Sequence, residues 1–192
     1  NPEAVEAGFK AHQGRALLNS INMEKERMES IIPLIREHKP RVIGLTIDDN
    51  GVTQDADKRF DLGVQLIELL TKNDIDLDDI FIDPLIFPVS AELQAGNVSL
   101  NIMGRLKEQY PGVHMVCGLS NISFGLPERK LINQVYMMMA MGRGLDAAII
   151  DPLDKRMMAS IITARTLLGQ DKACKGYLKA YRSDGLNLEL VP

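Results

Sequence analysis

Short apolar runs alternate along the chain with longer stretches whose apolar positions fall three or four residues apart. The runs read as strands at 15–21 (RALLNSI), 41–47 (RVIGLTI), 79–87 (DIFIDPLIF), 113–121 (VHMVCGLSN) and 146–153 (DAAIIDPL). Helical spacing puts Met28, Ile31, Ile32 and Ile35 on one face, and later Leu62, Leu66, Leu69 and Leu70 on another. Further helices are expected over about 90–109, from Pro127 near a first turn to Gly144 at an end, at 155–168, and near 171–182. The opening NPEAVEAGFKAHQGR reads as a helix already under way, with Pro2 in its first turn and Glu3 and Glu6 suited to its N-terminus.

Strand followed by helix, five times over, with strands apolar along their whole length, argues for a parallel sheet covered on both faces. Two α/β architectures meet that description. An open doubly wound sheet often carries a glycine-rich phosphate loop after its first strand, but GLSNISFG lacks the GxGxxG spacing and no Walker lysine loop occurs. The other is a (β/α)8 barrel, of about 250 residues. The fold class expected is therefore α/β, a partial (β/α)8 TIM barrel made of the C-terminal five β/α units with the first three strands missing. Residues 1–192 read as one domain, with no linker or low-complexity tract.

Each apolar run has polar groups at its C-terminal end: Asn19 and Ser20, Thr46 and Asp48, Asp83, Ser120 and Asn121, Asp151. In a barrel those ends gather at the mouth that carries the active site. Asn and Asp are also ordinary turn and capping residues, and that reading suits Asp48, Asp49 and Asp151. Asp83 stands apart. It lies between Ile82 and Pro84 in a stretch that stays apolar to Phe87, where a carboxylate without a partner is costly. Asn121 is equally out of place at the end of a buried run.

The 192 residues carry a net charge of -4, are 45 % hydrophobic and contain no Trp. That balance suits a soluble domain and offers no basic cluster for nucleic acid. No apolar run nears the roughly 18 residues of a membrane span, and no signal peptide is visible. Cys117 and Cys174 make no disulfide framework, and His12, His38 and His114 have no ligand spacing, so no metal site is expected and a reducing, cytoplasmic setting fits. Amides and a carboxylate without histidine, thiol or metal are poor equipment for hydrolysis by nucleophile and base. They suit a flat heterocycle. The N3–H and 2-amino edge of a pterin forms a fork that one carboxylate accepts.

GLSNISFGLPERKLIN with GLDAAIIDP, FIDPLIFPV and ALLNSIN, in that setting, resemble the pterin-binding methyltransferases. The chain is most similar to the methyltetrahydrofolate:corrinoid/iron–sulfur protein methyltransferase family, and the likeness runs through to the tail KGYLKAYR. Methionine synthase folate domains and dihydropteroate synthase are more distant kin. The resemblance implies a (β/α)8 barrel that forms a homodimer. It implies that Asp83 holds the pterin N3 and 2-amino edge, that Asn19 bonds the ring, that Asn121 reaches N5, and that Arg129 lies near the folate. Asn121 would be the catalytic group. The family motif DSTNP is met only at its Asn-Pro, so a further pterin-binding aspartate and its strand are expected to precede Asn1. Phe124 stands where corrinoid/iron–sulfur enzymes often have glutamine and methionine synthase domains have phenylalanine.

The activity implied is transfer of a methyl group between N5 of 5-methyltetrahydrofolate and the cobalt of a corrinoid (cobalamin) carried by a partner protein. Dihydropteroate synthase is the alternative enzyme, but its Ser-Arg-Lys after this strand is replaced by Ser120-Asn121-Ile122. A non-catalytic pterin-binding fragment is the other alternative.

Overall fold

The computed structural model describes residues 1–186. Its elements, in chain order, are α1 (Pro2–Ala11), β1 (Leu17–Met23), α2 (Lys25–His38), β2 (Arg41–Asp48), α3 (Ala56–Lys72), β3 (Ile80–Asp83), α4 (Ala95–Gln109), β4 (His114–Gly118), α5 (Arg129–Met141), β5 (Ala147–Ile149), α6 (Lys155–Leu167) and α7 (Lys175–Arg182). The strands form one sheet in the order β1-β2-β3-β4-β5, and every neighbouring pair is parallel. A doubly wound sheet reverses its strand order at a switch point. This one does not, and its sequential order is that of a barrel wall.

The boundaries moved where side chains or backbone groups compete with the ladder. Asn1 is the N-cap of α1, its Oδ1 accepting the N–H of Glu3 at 2.9 Å, and Pro2 opens the first turn. β3 stops at Asp83, because Pro84 has no N–H and Leu85 takes a left-handed φ of 62°. β4 stops at Gly118, and residues Leu119–Ser123 wind into a 3-10 turn. β5 is short, and Asp146 just before it bonds Met115 twice, its N–H to the Met115 carbonyl at 3.3 Å and its Oδ1 accepting the Met115 N–H at 2.8 Å. After α5, Gly144 turns the chain at φ 95°, a region other residues seldom enter.

The core lies between the sheet and its helices. Ile31 and Ile35 of α2, Leu66 and Leu70 of α3, and Ile102 and Leu106 of α4 pack on Val42, Ile80, Ile82 and Met115 of the strands. Cys117 is fully buried among them and Cys174 is exposed. The N-terminal ends of the strands are fastened by charge. Asp79 meets Arg15 at 2.6 Å and Arg41 at 3.5 Å, while Asp146 meets His114 at 2.9 Å and Lys107 at 3.2 Å. The polar residues of interest lie at the opposite ends, where Asp48 at the end of β2 meets Lys58 at 3.1 Å. No helix among the described residues is long and apolar enough to cross a membrane, and none of their His, Cys, Asp and Glu form a group able to hold a metal.

Candidate functional site

Asp83 ends β3 at the C-terminal side of the sheet. Its Oδ1 accepts the N–H of Leu85 at 2.8 Å, and its backbone carbonyl accepts from the Thr46 hydroxyl at 3.4 Å. Burial pushes its carboxyl up to about 6, a shift the Leu85 N–H only partly offsets. Among the described residues no cation pairs with it, and none donates to Oδ2. The cost of burying this carboxylate is thus left largely uncompensated within the described chain.

Asn121 reaches the same place from β4. In the 3-10 turn, Leu119, Ile122 and Ser123 point inward while Asn121 is exposed. Its carboxamide lies beside the end of β4: a Cβ on Gly118 would sit 3.6 Å from Asn121 Nδ2, in ordinary van der Waals contact. The backbone carbonyl of Asn121 accepts the N–H of Phe124 at 3.1 Å, but no described residue bonds its carboxamide. The turn is tied to the loop after β3, because Val89 N–H donates to the Ile122 carbonyl at 3.1 Å and the Ser90 hydroxyl to the Phe124 carbonyl at 2.6 Å. Between loop and turn lies a cleft of about 390 Å³ whose lining includes Val52, Asp83, Leu85, Phe87, Asn121 and Phe124.

The structure therefore brings together two of the four expected site residues. Arg129, the first residue of α5, stands behind the turn. Its Nη2 donates to the Ser120 carbonyl at 2.7 Å, its Nε to the Ser123 hydroxyl at 3.1 Å, and its guanidinium lies 5.9 Å from the Phe124 ring centre. It does not line the cleft; it holds the segment that carries Asn121. Asn19 is placed within β1 and not at its end, since β1 runs on to Met23. It is exposed and pairs with Ile43, whereas Asp83 pairs with Leu45. The register breaks immediately after Asn19, and such bulges redirect side chains near sites. Asp48 and Asp151 make local turns, accepting the N–H of Asn50 and of Leu153 at 2.9 Å each.

One residue of the site escaped the sequence reading. Arg59 in α3 is wholly buried beneath the loop after β3, and its Nη1 donates to the carbonyls of Pro84 at 3.0 Å and Leu85 at 2.8 Å. A signal was present. Carrying the Leu62, Leu66, Leu70 face back by three residues lands on Arg59, the one cation on that face. A larger groove of about 560 Å³ lies among α5, α6 and α7, but its Ser160 and Thr163 hydroxyls donate to carbonyls of their own helix, and Ser160 also accepts from Gln134 Nε2 at 2.6 Å.

A cleft with one half-satisfied carboxylate, one free carboxamide and an aromatic wall fits a planar ring bearing adjacent N–H donors. Comparison with known proteins points the same way. The chain is 36 % identical over 185 residues to a methylcorrinoid:tetrahydrofolate methyltransferase of Eubacterium limosum, covering 95 % of this chain and 68 % of that protein. Methionine synthases of Mycobacterium tuberculosis and Mycobacterium leprae are 33 % and 32 % identical over 158 residues, which is 76 % of this chain and 13 % of theirs. Residues 1–151, spanning β1 to β5 and the whole cleft, match the family described as pterin binding enzyme. With most of the chain matched, both by that family and by a relative it covers over two thirds, this protein belongs to the pterin-binding enzymes.

Proposed function

We propose that the chain supplies the folate site of a methyltransferase that moves a methyl group between N5 of 5-methyltetrahydrofolate and the cobalt of a corrinoid protein. The observation that carries this reading is the pairing of Asp83 and Asn121 across one cleft, each with polar atoms the protein leaves unused. Asp83 accepts from N3–H and the 2-amino group, which compensates its burial and fixes the ring. Asn121 then stands at N5. Cobalt(I) is itself a strong nucleophile, so the protein need not generate one. What it must do is ease the departure of a tertiary amine. An amide N–H aimed at N5 strengthens as charge develops there, which is stabilisation of the transition state rather than of the bound substrate. In the reverse direction, which the Eubacterium limosum protein's name describes, Asn121 hydrogen-bonds N5 of tetrahydrofolate in the same place, and the proton that N5 loses on methylation passes to water.

The reading takes residues 1–192 as one pterin-binding domain and the five strands as the later part of a (β/α)8 barrel. The first three strands and a second pterin-binding aspartate would come from sequence preceding Asn1. Asn19 contacts the ring once that wall is in place. A homodimer, a corrinoid protein partner and a cytoplasmic location belong to the same reading and rest on the family resemblance.

Calorimetric titration with 5-methyltetrahydrofolate tests the binding half. One-site binding, followed by methyl exchange with free cobalamin, is the expected result. Binding without exchange would leave a pterin-binding protein that is not a methyltransferase, and no binding would remove the proposal. Arg129 offers a separable check. Arg129→Ala removes two hydrogen bonds from the turn and its contact with the Phe124 ring but takes away no group that itself lines the cleft, so the methyl-transfer rate should fall about tenfold with a smaller change in folate affinity.

A further inference from the structure

Arg59 is 0 % exposed, and a guanidinium in that position is hard to account for as packing. A buried cation is costly unless paired. No carboxylate pairs with it, and its Nε and Nη2 have no partner among the described residues. A leucine in its place would complete the apolar face of α3. What Arg59 does bond is confined to the loop after β3. Nη1 holds two successive carbonyls, those of Pro84 and Leu85, and the guanidinium carbon lies 5.0 Å from the centre of the Phe87 ring. Leu85 has the left-handed φ of 62°, unfavourable for a leucine. In that conformation its N–H turns back to Asp83 Oδ1 at 2.8 Å.

We propose that Arg59 is a positioning residue for Asp83. It fixes the Pro84–Leu85 turn, so that the Leu85 N–H is aimed at one carboxylate oxygen and the other oxygen faces the cleft. The inference builds on the reading of Asp83 as the ring-edge acceptor, but the arm that reads Asp83 itself does not need the ligand. Besides Arg59, the titratable groups gathered around Asp83 are Cys117 from β4 and Tyr136 from α5. Burial raises both, Tyr136 to about 12, so they stay neutral while Asp83 titrates. Changes in the Asp83 titration therefore report on its hydrogen bond and on Arg59, not on other ionisations.

The experiment follows the Asp83 side-chain carboxyl by carbon-13 NMR through a pH titration of the whole chain, with Asp83→Asn assigning the signal. Arg59→Met, of similar length and apolar, is expected to keep the fold, since replacing a poorly paired buried cation by an apolar residue is often neutral. Without the grip on the two carbonyls the Leu85 N–H is lost as a donor, and the Asp83 midpoint should rise by about one pH unit. Arg59→Lys, which still donates to both carbonyls, should restore the wild-type midpoint. Arg59→Gln, with one amide donor group, should fall between and carries the test if the Met variant does not fold. A second arm titrates 5-methyltetrahydrofolate at pH 7.5, where Arg59→Met should bind about tenfold more weakly and Arg59→Lys near normally. An Asp83 midpoint equal in wild type and Arg59→Met overturns the inference. A midpoint that moves in a protein indifferent to folate supports the positioning role and removes the folate reading instead.

Discussion

Asp83→Asn should weaken 5-methyltetrahydrofolate binding at least a hundredfold at pH 7.5 and, in the same protein, raise the melting temperature of the free chain. Both follow from one geometry. In the proposed site the carboxylate accepts the ring edge through charge-assisted bonds, each worth about 1.5 to 3 kcal/mol. An asparagine of the same shape offers one acceptor and turns an N–H toward the ring's own donors, so about 3 kcal/mol of binding is lost, or roughly two powers of ten. Stability moves the other way. Burial raises the Asp83 carboxyl from the ordinary 3.8 to about 6 in the folded chain. A raised carboxyl favours the fold only while protonated, so its penalty is absent below about pH 4, grows between the unfolded and folded values, and is complete above about pH 6. The shift corresponds to about 3 kcal/mol at neutral pH. Asparagine escapes that penalty but brings a buried amide of its own, which leaves a net gain of about 1 to 2 kcal/mol, or several degrees. Thermal unfolding at pH 7.5 and at pH 4 checks the sign: the variant should melt higher at the first and, where the carboxyl is protonated and only the amide's own cost is left, slightly lower at the second. A variant that melts lower at pH 7.5, or one that still binds folate tightly, would refute the role given to Asp83.

That trade of stability for binding explains why Asp83 was legible in the sequence. A carboxylate between Ile82 and Pro84 violates the apolar pattern around it, and such violations mark functional positions. The parallel α/β arrangement was legible for a similar reason, because strands covered on both faces must be apolar throughout. The turn that presents Asn121 was not. VHMVCGLSNI is apolar at nearly every step, and the residues Leu119 and Ile122 that anchor a 3-10 turn inward look the same as residues alternating along a strand. What ends the strand is tertiary: the Arg129 guanidinium on the Ser120 carbonyl and Ser123 hydroxyl, and the backbone link from Val89 to Ile122. Arg129 was singled out as a residue near the folate, and the structure gives it the supporting place behind the turn. Arg59 lay in plain periodic register with Leu62 and Leu66, but an apolar-face count passes over a cation.

Asn121→Ala should lower the rate of methyl transfer by about a hundred- to a thousandfold while leaving the fold untouched. The side chain is exposed and bonds no described residue, so its removal costs the free protein no more than about 0.5 kcal/mol. In the proposed site the amide faces N5 and not the ring edge, so the loss falls on catalysis. Before reaction N5 carries its methyl group and little charge, and a neutral amide gains little by facing it. As the carbon–nitrogen bond stretches, the electron pair returns to N5 and the N–H bond tightens. A donor that strengthens in this way is worth about 3 to 4 kcal/mol, paid out in kcat and not in KM. Asn121→Asp sharpens the point, since it keeps the shape but exchanges the donor for a carboxylate and should be at least as slow. Single-turnover transfer, followed through the corrinoid absorbance at saturating folate, separates the effects. If KM for 5-methyltetrahydrofolate rose tenfold with kcat unchanged, Asn121 would be a second ring-binding group, and the hydrogen bond that eases departure of the amine would have to come from another donor at the cleft mouth.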